Sequence, residues 1–472
     1  MVEMIENRTW EEIRLGDSAS LTRTCRVEDV EVFGIATGDF NPTHYTAADA
    51  ENLAHHPRVL AQSLWGGSLL SALLGNELPG PGTVYRNQEF EFHQPVEVGD
   101  TLTVSIVAVE KTPPNDVVFD CNAVNQRGEA VFRGRARVAA PTIKVVQPRV
   151  QLQEVRLRRR HHVFEDLIAR CATLEPISVA VCHPCDQVSL EGAADAARAG
   201  LIVPILVGPE GKIRAVAEEF SIDIAGLRIL DTAHSHESAE RSVALCRSGE
   251  AEALMKGSLH TDEMMHEVAS RDSGLRTSRR ISHVFIMDVP TYPRMLLITD
   301  AAVNIYPSLE DKVDIVQNAI ELAHVLGVAQ PKVAILSAVE TVYPKITSTV
   351  DAAALCKMAD RGQITGGLLD GPLAFDNAVS EEAVRIKKIK SPVAGLADIL
   401  LVPDIESGNM VAKQLSYLAD ADAAGIVLGA RVPIVLTSRA DSAKARLASS
   451  AVAALLAHCR RERLAKSKSA AQ

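Results

Sequence analysis

Residues 37–44 read Thr-Gly-Asp-Phe-Asn-Pro-Thr-His and carry the most informative local pattern in the chain. They place the carboxylate of Asp39 and the imidazole of His44 five residues apart around an Asn-Pro turn. Such a pair can position one water and move its proton, as general acid–base addition to a double bond requires. The alternative interpretation is a solvated turn in which Asp39 caps a helix.

The residues after this stretch predict one central helix and several strands. Residues 64–75 are small and apolar on all sides, which favours a helix buried inside a curved sheet. Short turns that contain Pro, Gly and Asn separate the strands. The strand-like runs are 83–92, 101–110 and 117–138.

Residues 36–44 and 61–70 together resemble the MaoC-like, R-specific enoyl-CoA hydratase family, over about residues 15–140. The resemblance implies a hotdog fold, in which antiparallel strands wrap around one helix. It also implies that Asp39 and His44 are the catalytic pair and that Ser68 supports them.

The chain departs from this family in the segment Gln62-Ser63-Leu64, where the family usually has His-Gly-Met. The family's glycine amide lies in the oxyanion hole, so Ser63 would have to supply that N–H to bind the substrate thioester. The added side chain needs space beside the thioester oxygen. We expect weak or absent hydration, and a fold that binds acyl-CoA without turnover is the alternative.

Length and composition indicate several domains, because 472 residues exceed what one hydrophobic core usually supports. The hydrophobic share of 47% and the low aromatic share of 4% favour α/β layers. A net charge of -11 and a pI near 5.7 argue against a general nucleic-acid binder. Residues 1–6 lack the features of a secretory leader, and no apolar run reaches membrane-spanning length. We therefore expect a cytoplasmic protein without a membrane partner.

The eight cysteines are scattered and predict no disulfide framework. Cys182-His183-Pro184-Cys185 has a spacing that also occurs in redox and zinc sites. However, no second CxxC or His pair follows at zinc-like spacing, and the motif comes directly after the strand-like run 177–181. We interpret it as a turn at a strand end and expect no metal site.

A linker at 146–162 separates a predicted domain at 1–145 from a second one at 163–472. Residues 156–162 form a short basic run, which we interpret as solvated linker, although such a run can also attract phosphate. Beyond the linker, short apolar runs alternate with helical stretches, which predicts mostly parallel sheets with ligands at the carboxyl ends of the strands. The predicted strands include 253–256, 294–299 and 332–336. Neither a GxGxxG motif nor a phosphate loop with correct spacing follows the first strand.

Three later motifs, residues 369–378, 396–409 and 437–439, resemble the phosphate acetyl/butyryltransferase family over about residues 160–465. Residues 255–257 and 337–340 support the resemblance. It implies reversible acyl transfer between coenzyme A and phosphate, without a cofactor, in a cleft between two α/β subdomains. A hotdog domain fused ahead of this family is usually described as a bifunctional enoyl-CoA hydratase/phosphate acetyltransferase.

Acyl transfer between sulfur and phosphate oxygen needs an anion site, a thiolate and donors for a tetrahedral oxyanion. Arg439 offers a planar guanidinium for acyl phosphate, and the Ser438 hydroxyl can donate to the developing charge. Glycines would let backbone amides approach phosphate, and aspartates would orient loops, although turn glycines and capping aspartates are common. The predicted substrate-binding residues of this domain are Gly257, Asp370, Gly371, Asp376, Gly408 and Asn409.

Two departures from the transferase family concern charged groups. The family's CoA-deprotonating aspartate is replaced by Lys444 or Ala445, so we predict Asp441 as the substitute base. The family's second phosphate-facing arginine falls beside Glu267. Three arginines nearby would compensate for it: Arg276, Arg279 and Arg280.

Two function classes remain open. The first is an enzyme whose partners are acyl-CoA, phosphate and acyl phosphate. The second is an acyl-CoA sensor, because a similar domain is a regulatory module in some malic enzymes. The Ser438-Arg439 pair and the upstream hotdog-like domain favour catalysis. By resemblance we also expect a homodimer or a higher homo-oligomer.

Overall fold

The computed structural model describes residues 4–44, 59–148, 162–436 and 442–470. The chain divides into two units, Met1–Leu157 and Arg158–Gln472. No helix in the described ranges is both long enough and apolar enough to cross a membrane.

The first unit has the predicted α+β hotdog architecture, which is thereby confirmed. Its helices are α1 (Val27–Thr37) and α2 (Ser63–Asn76), and a single 3₁₀ turn covers Pro42–His44. Its strands are β1 (Met4–Glu6), β2 (Ser18–Thr24), β3 (Val84–Phe92), β4 (Thr101–Thr112), β5 (Asp116–Val124), β6 (Ala130–Ala139) and β7 (Val146–Pro148). Five of these strands form one antiparallel sheet in the order β2-β4-β5-β6-β3.

Helix α2 packs closely on this sheet because two of its residues have no side chain. A Cβ at Gly67 would lie 2.8 Å from the ring of Phe90, and one at Gly66 would lie 3.3 Å from Leu102. The sequence predicts that this helix is buried on all sides, but in the structure one side of it is exposed. Leu64 is 57% exposed and Ser68 is also exposed, because the sheet of one chain covers only one side of the helix.

Residues 146–148, which the sequence assigns to the linker, form a strand of the first unit. This strand, β7, pairs antiparallel with β1, and Ile5 lies opposite Gln147. The first unit therefore extends at least to Pro148, three residues beyond the predicted boundary at 145.

The second unit alternates strands and helices as predicted. Its helices are α3 (Val163–Cys171), α4 (Gln187–Arg198), α5 (Glu210–Glu219), α6 (Ser235–Ser248), α7 (Thr261–Ala269), α8 (Leu309–Val325), α9 (Thr347–Asp360), α10 (Phe375–Val379), α11 (Glu381–Lys387), α12 (Ile405–Leu418) and α13 (Ala443–Ala470). Its strands are β8 (Ile177–Cys182), β9 (Ile202–Val207), β10 (Arg228–Leu230), β11 (Ala253–Lys256), β12 (Ser282–Asp288), β13 (Leu296–Thr299), β14 (Lys332–Leu336), β15 (Leu368–Leu373), β16 (Ile399–Leu401), β17 (Asp422–Leu428) and β18 (Ile434–Val435).

These strands form one mostly parallel sheet in the order β10-β9-β8-β11-β18-β17-β12-β13-β16-β14-β15. The antiparallel pairs are confined to its middle, where β12 contacts β13 and β17, and β17 contacts β18. Short connections at 289–295 and 429–433 join β12 to β13 and β17 to β18, whereas a parallel connection needs a dozen residues or more.

The buried side chains show two halves within this sheet. On one face a single hydrophobic cluster extends over the whole sheet. On the opposite face two separate clusters cover its two halves, one around Leu254 and the other around Leu400. On this face of the middle strand β12, Phe285 and Met287 pack with the cluster around Leu400, whereas Val284 and Ile286 belong to the other face.

Candidate active sites

Asp39 and His44 lie together at the end of α1. Gly38 ends this helix in the left-handed region with φ 73°, where glycine is favoured, and its N–H donates to Gly34. The Asp39 carboxylate accepts a hydrogen bond from the N–H of Asn41 at 3.2 Å, which holds the turn. Oδ2 of Asp39 is then 3.7 Å from Nε2 of His44. The structure therefore brings together the two groups that the sequence pairs.

The His44 imidazole is oriented by the backbone. Its Nδ1 is 2.8 Å from the carbonyl oxygen of Leu60. A carbonyl can only accept, so Nδ1 carries the proton and Nε2 is the proton-accepting nitrogen of the neutral ring. The 3.7 Å separation from Asp39 is too long for a direct hydrogen bond, and it lets both groups act on one bound molecule.

The start of α2 carries the residues that differ from the hydratase pattern. Ser63 is the first helical residue, and the N–H groups of a first helical turn have no acceptor within the helix. Gln62 is buried, and its Nε2 donates to Val30 at 3.3 Å, while its Oε1 has no partner among the described residues. The Ser68 hydroxyl donates to Trp65 at 2.7 Å, so its proton is used within the helix.

In the second unit, Gly257 follows β11 and lies against the end of β8. Its N–H donates to the carbonyl of Cys182 at 2.8 Å. A Cβ at this position would overlap the carbonyl oxygens of Cys182 and His183, so only glycine fits. The geometry therefore gives Gly257 a packing role, and its contact with phosphate stays a prediction.

Strand β18 pairs with β11 and leads into residues 437–441. Met255 lies opposite Val435, so Gly257 and the end of β18 lie at one edge of the sheet. Three predicted catalytic residues lie outside the described residues: Ser438, Arg439 and Asp441.

Asp370 and Gly371 are in β15 at the far edge of the sheet. The N–H of Gly371 donates to Oδ1 of Asp370 at 2.8 Å, and a Cβ on Gly371 would lie 2.8 Å from Ile335. This glycine, too, permits close packing, and its contact with substrate stays a prediction. Asp376 is the second residue of α10 and forms an ion pair with Lys387 at 3.1 Å, which holds α10 to α11.

Gly408 and Asn409 lie in the first turns of α12 and contact the loop that follows β13. The N–H of Gly408 donates to Asp404 within the helix at 3.1 Å, and a Cβ would lie 2.8 Å from the carbonyl of Asp300. Nδ2 of Asn409 is 3.3 Å from the carbonyl oxygen of Ala301. Both predicted residues thus hold α12 against residues 300–301.

This loop contains two candidate site residues that the sequence reasoning missed, Asp300 and Asn304. The buried Asp300 carboxylate accepts from the N–H groups of Ala302 and Val303 at 2.9 and 3.0 Å, and from Nδ2 of Asn304 at 2.5 Å. Polar residues directly after an apolar strand lie where α/β sheets bind ligands. Their position after the predicted strand 294–299 would have identified them.

The three compensating arginines have different surroundings. Nε of Arg280 donates to Asn304 at 2.7 Å, and Arg279 forms an ion pair with Glu321 at 2.8 Å. Arg276 is exposed, and no ion pair involves it within the described ranges. Of the three, Arg276 has the side chain with the fewest protein partners and remains the candidate for an anion contact.

The Cys182–Cys185 motif is a turn at the end of β8, in agreement with the sequence interpretation. Burial raises the pKa of the Cys185 thiol to about 11, so the thiol is protonated at neutral pH. All eight cysteines have free thiols. Across the described parts of the chain, no group of three His, Cys, Asp or Glu side chains is arranged to hold a metal.

His283 is buried at the middle of the sheet. Its burial leads us to expect that the stability of the protein depends on pH. Burial lowers its pKa to about 4, against the opposing effect of Asp300. The unfolded chain therefore binds this proton at a higher pH than the folded chain. We expect the contribution of His283 to the free energy of unfolding to be constant above about pH 6.5 and to fall towards pH 4, by up to about 1.4 kcal/mol per pH unit.

Urea unfolding of the full chain between pH 4 and pH 7.5 measures this effect. The variant His283→Gln lacks the titrating ring and should show a smaller loss of stability over the same range. Equal pH dependence in the two proteins would mean that His283 does not stay neutral in the folded state.

Two family models match the chain. The phosphate acetyl/butaryl transferase model matches residues 238–454, and the MaoC like domain model matches residues 12–122. A phosphate acetyltransferase of Rhizobium meliloti is 64% identical over 298 residues, which cover 63% of this chain and 94% of that protein. The chain belongs to the phosphate acetyl/butaryl transferase family.

Other similar proteins extend across this transferase family. A phosphate butyryltransferase of Clostridium acetobutylicum is 42% identical over 62% of this chain and 98% of its own length. The crystal structure of a branched-chain phosphotransacylase from Enterococcus faecalis has 32% identity and a TM-score of 0.53, and it covers 60% of this chain and 99% of its own. The second unit thus resembles transferases with different acyl preferences, and the first unit is additional to them.

Proposed function

We propose that this protein transfers an acyl group reversibly between coenzyme A and phosphate, with acyl-CoA, phosphate and acyl phosphate as its reactants. The observation that carries the proposal is the 64% identity to a phosphate acetyltransferase over nearly the whole length of that relative. The predicted pair Ser438-Arg439 supports it, because a guanidinium and a hydroxyl suit an acyl phosphate.

We propose that the site lies in the cleft between the two halves of the second unit. On one face of the sheet, the buried side chains form two separate clusters, one for each half. The loop at 300–304 and the start of α12 are tied together by Gly408 and Asn409. Their role is to hold the walls of the site rigid, so that donors stay in place as charge develops.

A coupled assay tests the transfer. The full chain is supplied with acetyl-CoA, butyryl-CoA or crotonyl-CoA, and CoA release is followed with and without phosphate. We expect release that depends on phosphate, and formation of acyl phosphate in equal amount. Tight acyl-CoA binding without phosphate-dependent release would support the sensor alternative instead.

For the first unit, we propose binding and slow hydration of short 2-enoyl-CoA thioesters. The 3.7 Å approach of Asp39 and His44 supports proton transfer. The rate is expected to be low because Ser63 adds a side chain where the resemblance places an oxyanion amide.

The variant Asp39→Asn tests this part in the full chain. We expect it to abolish hydration of crotonyl-CoA to the R-3-hydroxy product without unfolding the first unit, because the carboxylate is lost and the turn is kept. Asp120→Asn, on the exposed sheet surface, is the matched control and should retain the rate. Crotonyl-CoA binding with no hydration by the unmodified protein would mark the first unit as a binding module.

Three further predictions remain proposals. Acyl transfer should need no cofactor, so it should survive prolonged dialysis against a chelator. The protein should form a homodimer or a higher homo-oligomer, and a strictly monomeric species in light scattering at micromolar concentration would contradict this. Its location in the cytoplasm also stays a prediction.

A further inference from the structure

A cavity of about 190 Å³ lies at the edge of the large sheet where β18 begins. Residues 428–433, the end of β17 and the turn that leads to β18, form one of its walls. Strand β18 runs parallel to β11, so this edge carries the amino ends of both strands. Gly257 follows the carboxyl end of β11, at the opposite edge, where parallel sheets bind their substrates. The cavity is therefore separate from that edge.

Helices α8 and α13 form the other walls of the cavity. Glu321 and Val325 are four residues apart on α8, so they lie on the same side of the helix. Leu456, Cys459 and Arg463 follow each other at intervals of three and four residues on α13, which also places them on one side. Two helices and a turn of the second unit thus bound this space.

The turn is held in place by the chain that precedes β12. The N–H of Arg431 donates to the carbonyl of Leu275 at 2.8 Å, and Oγ1 of Thr277 donates to the carbonyl of Gly429 at 2.6 Å. Gly429 has a φ of 81°, and a Cβ at this position would overlap the carbonyl oxygen of Arg280. The wall is therefore formed in advance, and a ligand does not have to order it.

Most of the lining is apolar. Pockets for drug-sized ligands have about 300–1,000 Å³, so a ligand of this cavity is small. Part of its surface is apolar as well, because a fully polar ion would lose water against these side chains without gaining hydrogen bonds. The apolar lining consists of Val325, Leu428, Val432, Pro433 and Leu456.

The charged part of the lining has more positive than negative groups. Arg431 is exposed, and it forms no ion pair within the described ranges. Nη1 of Arg463 is 3.9 Å from Oε2 of Glu321, which is too long for a hydrogen bond. Among the described residues that line the cavity, Glu321 is the only acidic one. This excess of positive charge occurs in a chain whose net charge is -11.

Arg279, which contacts the lining through Glu321, increases this excess. Its Nη2 is 2.8 Å from Oε1 of Glu321, so that carboxylate already has a close partner. Its Nη1 is buried and has no hydrogen-bond partner among the described residues. Buried polar groups in folded proteins nearly always have a partner. One carboxylate thus serves several guanidinium groups, and the wall favours a further anion.

We propose that this cavity binds a short-chain carboxylate. The carboxylate accepts charge-assisted hydrogen bonds from Arg431 and Arg463, because the planar fork of a guanidinium matches its two oxygens. The alkyl chain packs against the apolar lining between α8, α13 and the turn. This binding site is additional to the acyl transfer proposed above, and its occupation does not depend on that reaction.

Isothermal titration calorimetry of the full chain with sodium hexanoate tests the proposal. We expect one saturable site per chain. Acetate should bind at least about tenfold more weakly, because it has four fewer methylene groups to bury. Arg431→Met and Arg463→Met keep an apolar stem but lose the charge, and each should weaken hexanoate binding about tenfold. Arg385→Met, at an exposed position of α11, is the matched control and should bind hexanoate like the unmodified protein.

The thiol of Cys459 gives a second measurement that is specific to this cavity. It is free and belongs to the lining. Bound hexanoate should slow its alkylation by iodoacetamide, which peptide mass spectrometry follows residue by residue. Alkylation of Cys356, on α9, should not change. Protection of Cys459 by inorganic phosphate as strong as that by hexanoate would contradict a carboxylate ligand.

Three other outcomes would overturn the proposal. The first is that the unmodified protein does not bind hexanoate. The second is that Arg431→Met and Arg463→Met, shown to be folded by circular dichroism, bind it as tightly as the unmodified protein. The third is that Arg439→Ala abolishes binding, which would place the carboxylate in the transfer site. None of these measurements uses acyl transfer, so a failure here leaves the proposed function standing.

Discussion

Replacing Lys312 by alanine should lower the free energy of unfolding of the second unit by about 3–5 kcal/mol. Nζ of Lys312, on α8, is 2.7 Å from Oδ2 of Asp351, on α9. The two side chains are only 6% and 15% exposed. Removal of one charge leaves the other buried without compensation, which costs more than the pair itself contributes. Urea unfolding followed by circular dichroism measures the loss.

A second ion pair of equal length provides the control. Lys357 and Asp360 are also 2.7 Å apart, but their side chains are 66% and 64% exposed. Lys357→Ala should therefore cost at most about 0.5 kcal/mol. The double substitution Lys312→Met with Asp351→Leu removes both charges and should recover most of the stability. Similar losses for Lys312→Ala and Lys357→Ala would show that burial does not decide the effect.

Replacing Arg439 by alanine should raise the barrier to acyl transfer by about 2–4 kcal/mol, which is roughly a 30- to 900-fold loss of rate. The prediction follows from the residue type, since a guanidinium makes charge-assisted contacts to phosphate that strengthen in the transition state. Arg439→Lys should recover only part of the rate, because an ammonium cannot form the same paired contacts. Coenzyme A should still bind.

Phosphate-dependent or arsenate-dependent cleavage of acyl-CoA measures this effect. Arg460→Ala, at an exposed position of α13, serves as the control and should retain the rate. If Arg439→Ala also retained the full rate, the assignment of the anion site to Ser438-Arg439 would be wrong.

Local patterns were sufficient to predict most of the elements. The strands at 253–256 and 332–336 begin and end at the predicted residues, because short apolar runs buried on both faces are recognisable without their neighbours. Asp39 and His44 were also predictable as a pair, since both belong to one turn. The strand at 282–288 was not predicted, although its apolar residues are evident in the sequence, and it introduces the antiparallel middle of the sheet.

Roles that depend on distant residues were not predictable. Gly257 was expected to bring an amide to phosphate, yet it is required because the chain at Cys182 passes too close for a side chain. Nδ1 of His183 lies 3.0 Å from Oγ of Ser238, which is 55 residues away in the sequence. A sequence encodes which residues prefer a strand, a helix or a turn, because those preferences act over a few residues. Which donor meets which acceptor is decided only when the sheet sets the register of its strands, and so the tertiary structure alone determined these contacts.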